Sequence, residues 1–84
     1  MKLSEKIKKL RIDNRLTQEE LATKLHISRQ TISKWEQEVT VPSLETLKEL
    51  ASIFNVELFE LIDDKSTKII EEDKFLNKNR IIFY

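Results

Sequence analysis

The chain contains no glycine, and Pro42 is its only proline. Tight β-hairpins commonly use glycine at positions with positive φ, so a chain without glycine is poorly suited to a sheet built from hairpins. Leu, Lys, Glu and Ile are abundant instead, and residues such as Leu, Lys and Glu are favourable in helices. The composition therefore predicts an all-α protein.

Length and residue content limit the classes of protein and of site. Eighty-four residues make one domain with a small core of its own. Because the chain has no cysteine and a single histidine, disulfides and thiolate metal sites are excluded, and we expect no metal and no cofactor. No apolar run reaches the ~20 residues of a membrane span, and the N-terminus lacks the apolar stretch of a signal peptide. We therefore expect a cytoplasmic protein that does not contact membranes.

The formal net charge is zero, but the charges are unevenly distributed. Residues 1–34 carry nine Lys or Arg against four Asp or Glu, a net charge of +5. Residues 35–64 carry one Lys against eight acids, a net charge of −7, and residues 65–84 carry five against three, +2. The pattern predicts a basic surface suited to phosphates and a separate acidic face, unless the charges are scattered over solvated surfaces by chance.

A segment that begins at Thr17 predicts two short helices joined by a turn. Thr17 and Glu20 have the spacing of a capping box, which begins the first helix. His26 is expected to end that helix with positive φ, because His enters this region more readily than most residues; a pH-sensing role is the weaker alternative. Ser28 is a suitable N-cap for the second helix, predicted over 28–37. Two helices in this arrangement can present one helix edge to DNA bases.

The second of these helices has an apolar inward face and a polar outward face. Ile32 and Trp35, spaced i, i+3, are expected to point into the core. No acidic residue occurs from Leu21 to Trp35. The outward positions carry the side-chain types that contact bases and phosphates: Arg29, Gln30, Ser33 and Lys34. A surface helix can carry such residues for solubility alone, but their concentration on one face favours DNA contact.

Three further helices are predicted outside this segment, two of them long and one short. The first covers about 4–14 and is expected to end at Asn14, which tolerates a left-handed backbone. Another follows Pro42, is capped by Ser43 and ends at Asn55. The apolar stripe of that helix comprises Leu44, Leu47, Leu50, Ala51 and Phe54.

The C-terminal part of the chain differs in character. A short helix over about 57–62 has four apolar residues in six, more than one small helix buries within its own domain, so part of its surface is expected to meet a partner chain: Leu58, Phe59, Leu61 and Ile62. A boundary is predicted near residue 64, between a domain over 1–64 and an extension over 65–84. The extension fits neither a helical nor a strand period and ends in a short segment with β character, which leaves dimerisation and a linker role open.

In their order along the chain, the motifs between residues 7 and 62 resemble the phage repressor and Cro-type helix-turn-helix family, the xenobiotic-response-element family of bacterial transcription regulators. Two departures from the family pattern stand out: His26 replaces a common glycine in the turn, and 38–40 replaces a loop that usually contains glycine. The resemblance rests on Leu10-Arg11, on 16–22 (LTQEELA), on 27–36 (ISRQTISKWE) and on 42–47 (PSLETL).

The resemblance implies a compact five-helix bundle of the lambda-repressor-like type, with the helix-turn-helix at its second and third helices. It also implies a sequence-specific transcription regulator that binds a palindromic operator in double-stranded DNA as a homodimer. The helix over 28–37 would lie in the major groove. Activation and repression both stay open from the sequence, and a compact domain favours repression, because it can block a promoter by occupying it.

The resemblance further implies roles for individual residues. Gln18 would contact phosphate at a helix N-terminus, where free N–H groups favour anions, and would support the reading helix. Arg11 and Glu36 match a pair that ties the first helix to the end of the reading helix. The residues expected to read bases are Arg29, Gln30 and Lys34. Those expected to contact phosphates or thymine methyls are Ser28, Thr31 and Ser33.

A protein-interaction module, such as the antitoxin half of a toxin–antitoxin pair, is the alternative from another class. In that case the acidic face over 35–64 or the C-terminal extension would cover a basic protein partner, and the extension would fold on binding. The two functions are compatible in one chain. An enzyme is not expected, because the sequence has no cysteine, no glycine-rich phosphate loop and a single histidine in a turn.

Overall fold

A computed structural model describes residues 1–62, and these residues form five α-helices. The helices are α1 (Leu3–Asp13), α2 (Gln18–Leu25), α3 (Arg29–Glu36), α4 (Leu44–Phe54) and α5 (Leu58–Ile62). No strand occurs in this range, so the predicted all-α, five-helix fold is confirmed. None of the helices is long and apolar enough to cross a membrane. The extension over 65–84, its β-type end and the boundary near residue 64 lie outside the described residues.

Side-chain caps determine where three of the helices begin. The Thr17 hydroxyl accepts a hydrogen bond from the Glu20 backbone N–H at 3.0 Å, and the Glu20 carboxylate accepts one from the Thr17 N–H at 2.8 Å. The Ser28 hydroxyl accepts from the Thr31 N–H at 3.3 Å, and Ser43 caps α4 in the same way. Each cap stabilises its helix by about 1 kcal/mol. That contribution matters most for α2 and α3, because helices of eight residues are marginal on their own.

One apolar core joins all five helices, and α3 packs against both α1 and α2. Trp35 is 5% exposed and lies in the core as predicted. Leu44, predicted to belong to the apolar stripe of α4, is instead 57% exposed. It is the first residue of α4, one turn before the buried Leu47, and so lies beyond the end of the core. The largest fully buried side chains are Ile7, Leu21, Ile32, Leu50 and Leu61, and burial of each contributes about 1.5–3 kcal/mol.

Four described residues adopt the left-handed backbone conformation although the chain has no glycine: Arg15 (φ 60°), His26 (φ 61°), Glu38 (φ 65°) and Asn55 (φ 58°). The predicted left-handed ends of α2 at His26 and of α4 at Asn55 are confirmed. α1 ends at Asn14 as predicted, because Asn14 is its C-cap, but the expected left-handed conformation is wrong: φ of Asn14 is −89°, and the left-handed residue is the next one, Arg15. Asn14 continues the last turn of α1: its backbone N–H and its side-chain amide both donate to the Leu10 carbonyl, at 3.0 and 2.7 Å.

Replacing Arg15 with glycine is expected to raise the free energy of unfolding by about 1 kcal/mol. A left-handed conformation costs a non-glycine residue ~1–2 kcal/mol, and the greater freedom of glycine in the unfolded chain offsets part of the gain. The matched control is Asn14→Gly, which should lower the free energy of unfolding, because φ at this position does not need glycine and a side-chain hydrogen bond is lost. Urea denaturation measures both variants. A loss of stability in Arg15→Gly would contradict the backbone assignment.

Candidate nucleic-acid interface

The outward edge of α3 presents unpaired polar side chains to solvent. At about 100° per residue, its four outward positions lie within about 140° of the helix circumference. Three of these side chains, Arg29, Gln30 and Lys34, are exposed and form no hydrogen bond or ion pair with any residue that the structure describes. Their donors and acceptors therefore remain available to an external partner.

The hydroxyl side chains around this edge have partners within the protein. Ser28 and Thr31 share a hydrogen bond between their hydroxyls at 3.0 Å. The Gln37 side-chain amide donates to the Ser33 hydroxyl at 2.6 Å. Gln37, the C-cap of α3, was not singled out from the sequence, although its i, i+4 spacing from Ser33 was a signal for the contact. A hydroxyl has one donor and two acceptor lone pairs, so each of these groups keeps hydrogen-bonding capacity.

The Glu36 carboxylate, at the C-terminal end of α3, accepts hydrogen bonds from two other helices. Arg11 on α1 donates through Nε to Oε2 at 2.7 Å and through Nη2 to Oε1 at 3.2 Å. Gln18, the first residue of α2, donates through Nε2 to Oε1 at 3.0 Å. The Glu36 side chain is 5% exposed and that of Arg11 is 11% exposed. The structure thus brings Arg11, Gln18 and Glu36 into one buried polar network that joins α1, α2 and α3.

The Arg11 guanidinium also fixes the linker between α1 and α2. Its Nη1 donates to the Leu16 backbone carbonyl at 2.8 Å, one residue before the Thr17 cap. This contact was not predicted from the sequence. Because one planar group holds both the start of α2 and the end of α3, the two helices of the helix-turn-helix share a common support.

Acidic side chains lie on other elements than the α3 edge. Glu45 and Glu49 are exposed on α4, Glu57 is exposed just before α5, and Glu60 is exposed on α5. The α3 edge therefore combines positive charge with hydrogen-bonding groups, the combination that contacts phosphates and base edges.

Residues 1–62 contain no group of three or more His, Asp or Glu side chains arranged to hold a metal ion.

Replacing Arg11 with methionine is expected to lower the free energy of unfolding by about 3 kcal/mol, because it leaves a buried carboxylate with one remaining hydrogen-bond donor. Lys9→Met is the matched control on the same helix. It removes the Lys9–Asp13 ion pair, which has a similar distance of 2.8 Å but side chains that are 58% and 52% exposed. Such an exposed pair contributes about 0.5 kcal/mol or less. Urea denaturation distinguishes the two, and equal losses would show that the Glu36 network contributes no more than a surface ion pair.

Comparison with known proteins gives one family and two relatives. The helix-turn-helix family model matches residues 7–61. The chain is 36% identical over 85 residues to the HTH-type transcriptional activator BcrR of Enterococcus faecalis, an alignment that covers 100% of this chain and 42% of that protein. It is 35% identical over 79 residues to the cryptic phage CTXphi transcriptional repressor RstR of Vibrio cholerae, covering 94% of this chain and 69% of the repressor. The chain thus spans less than half the length of the activator. No solved structure matches the chain significantly.

Proposed function

Because this chain belongs to the helix-turn-helix family, of the xenobiotic-response-element type, we propose that it is a sequence-specific transcription regulator that binds double-stranded DNA. The observation that carries the proposal is the α3 edge, where Arg29, Gln30 and Lys34 are exposed and have no partner among the described residues. An α-helix with its side chains is about 10–12 Å in diameter, which suits the major groove of B-DNA, about 12 Å wide.

The position of each side chain along α3 supports a particular contact. Arg29 and Gln30 occupy the first turn, and in a recognition helix the N-terminal residues reach the base edges. An arginine pairs with guanine O6 and N7, and a glutamine with adenine N6 and N7. Lys34 lies more than one turn further along, where we assign it to a base edge as well.

Phosphate contacts are proposed for the hydroxyl groups of α3 and its N-cap, and for Gln18 on α2. Ser28 and Thr31 carry hydroxyls at the N-terminus of α3, where unpaired N–H groups favour an anion. Gln18 lies at the N-terminus of α2 and also touches Glu36, so a phosphate contact there would be transmitted to the end of α3. Ser33 contributes a hydroxyl from the α3 edge for a phosphate or a thymine methyl.

We further propose that the protein binds a palindromic operator as a homodimer through α5. Phe59 and Ile62 are 48% and 44% exposed, whereas Leu61 between them is 1% exposed. Two large apolar side chains on one short helix form a surface that a second copy can cover, with equivalent residues meeting across a two-fold axis. Two α3 helices would then read half-sites about 34 Å apart on one face of the duplex.

The direction of regulation that we propose is repression. Of the two relatives, RstR is a transcriptional repressor and BcrR is a transcriptional activator. A DNA-binding domain represses when its operator overlaps a promoter, because it excludes other proteins from the same site. This mechanism needs no surface beyond the α3 edge and the α5 contact.

Replacing Arg29 with alanine is expected to weaken operator binding by about 1–3 kcal/mol and to relax the preference at one base pair in each half-site. Lys48→Ala is the matched control, because it removes one positive charge from an exposed position on α4 and should leave the base preferences unchanged. Fluorescence anisotropy against single-base variants of an operator measures both, at one fixed salt concentration because phosphate contacts make affinity salt-dependent. If Arg29→Ala keeps the wild-type ranking of all the variants, Arg29 does not read a base.

A further inference from the structure

A pocket of about 350 Å³ lies between the N-terminal end of α1 and the loop that follows α3. This volume is within the range of small-ligand sites, about 300–1,000 Å³. Four polar residues, Lys2, Ser4, Glu38 and Thr40, also line the pocket. The apolar part of its wall comprises Leu3, Ile7, Trp35, Val41 and Pro42. The pocket is separate from the outward edge of α3, since none of the proposed DNA contacts lines it.

The Glu38 carboxylate is the more restrained charge of this pocket, although its side chain is 53% exposed. Glu38 has φ 65°, and its backbone N–H donates to the Trp35 carbonyl at 3.2 Å. Its Oε2 accepts a hydrogen bond from the Ser4 hydroxyl at 3.2 Å, and Ser4 is 7% exposed. Backbone and side chain are thus both held by neighbours in the described structure.

The Lys2 ammonium is the replaceable charge. Its Nζ lies 3.5 Å from Glu38 Oε2, at the long end for an ion pair, and its side chain is 69% exposed. Exposed ion pairs of this kind contribute little, because water and the mobility of the lysine side chain compete with the contact. A second ammonium group can therefore take the place of Lys2 at low cost.

We propose that this pocket binds a small organic ammonium compound. The charged group would pair with the Glu38 carboxylate in place of Lys2, and the apolar body would lie against Trp35 and the aliphatic side chains of the wall. A carboxylate ligand is disfavoured, because the more restrained charge of the pocket is negative. The proposal does not depend on DNA binding, but its occupant would contact α3, because Trp35 belongs to that helix.

Trp35 is the only tryptophan of the chain, so its fluorescence reports on the pocket directly. The whole chain is titrated with phenethylammonium and, separately, with 3-phenylpropionate, which has a similar ring and chain length but the opposite charge. The expected result is a saturable change in Trp35 emission with the ammonium, and binding of the carboxylate at least about tenfold weaker. Absence of saturation with phenethylammonium, or equal binding of the two probes, would overturn the proposal.

Three variants assign the site. Glu38→Gln keeps the shape of the side chain and should weaken phenethylammonium binding by about tenfold. Lys2→Ala should strengthen it, because the competing ammonium is removed. Glu57→Gln removes an exposed carboxylate outside the pocket and is the control, with no change expected. Unchanged binding in Glu38→Gln, confirmed as folded by its urea midpoint, would place the probe elsewhere.

Discussion

The position of α3 depends on the Glu36 carboxylate and the three hydrogen bonds that it accepts from Arg11 and Gln18. An eight-residue helix has too few backbone hydrogen bonds to be stable alone. Ile32 and Trp35 hold its inward face in the core, but apolar packing by itself permits small rotations and shifts. A bidentate ion pair between planar groups has a narrow preferred geometry. Side chains that read bases must lie within about 0.5 Å of the correct position. The directional ion pair restricts the orientation of α3 to this degree, which apolar packing alone does not.

A second constraint is that the helices must end sharply although the chain contains no glycine. Four residues adopt the left-handed conformation at the end of a helix or of the turn that follows it, and this conformation lowers stability for every residue type except glycine. They are Arg15, His26, Glu38 and Asn55. One of these positions also serves a side-chain contact, because Glu38 places its carboxylate beside Ser4 and Lys2. A glycine at position 38 would relax the backbone but, among the residues that the structure describes, would remove the one acidic side chain that lines the pocket.

Local patterns in the sequence predicted much of the fold, and contacts between distant residues were harder to predict. Features that depend on neighbours within a few positions are confirmed. They are the capping box at Thr17, the cap at Ser28 and the left-handed residues His26 and Asn55. Asn14 was predicted correctly as the end of α1 but not in its conformation: its two hydrogen bonds to the Leu10 carbonyl keep it in the last turn, and the left-handed residue is Arg15. The contact of Ser4 with Glu38 spans 34 positions, and no periodicity in the sequence relates the two. The pairing of Arg11 with Glu36 came from family resemblance, and the base and phosphate contacts stay predictions.

We propose that two copies of this protein each place α3 in a major groove. The most direct test is selection from a pool of random DNA duplexes, with sequencing of the bound fraction, for the wild type and for the double variant Phe59→Ser/Ile62→Ser. We predict that the wild type enriches a palindrome with half-site centres about 10 base pairs apart, and that the double variant enriches at most a single half-site. Weak, salt-sensitive binding without any enriched sequence would contradict the account and favour the protein-interaction alternative.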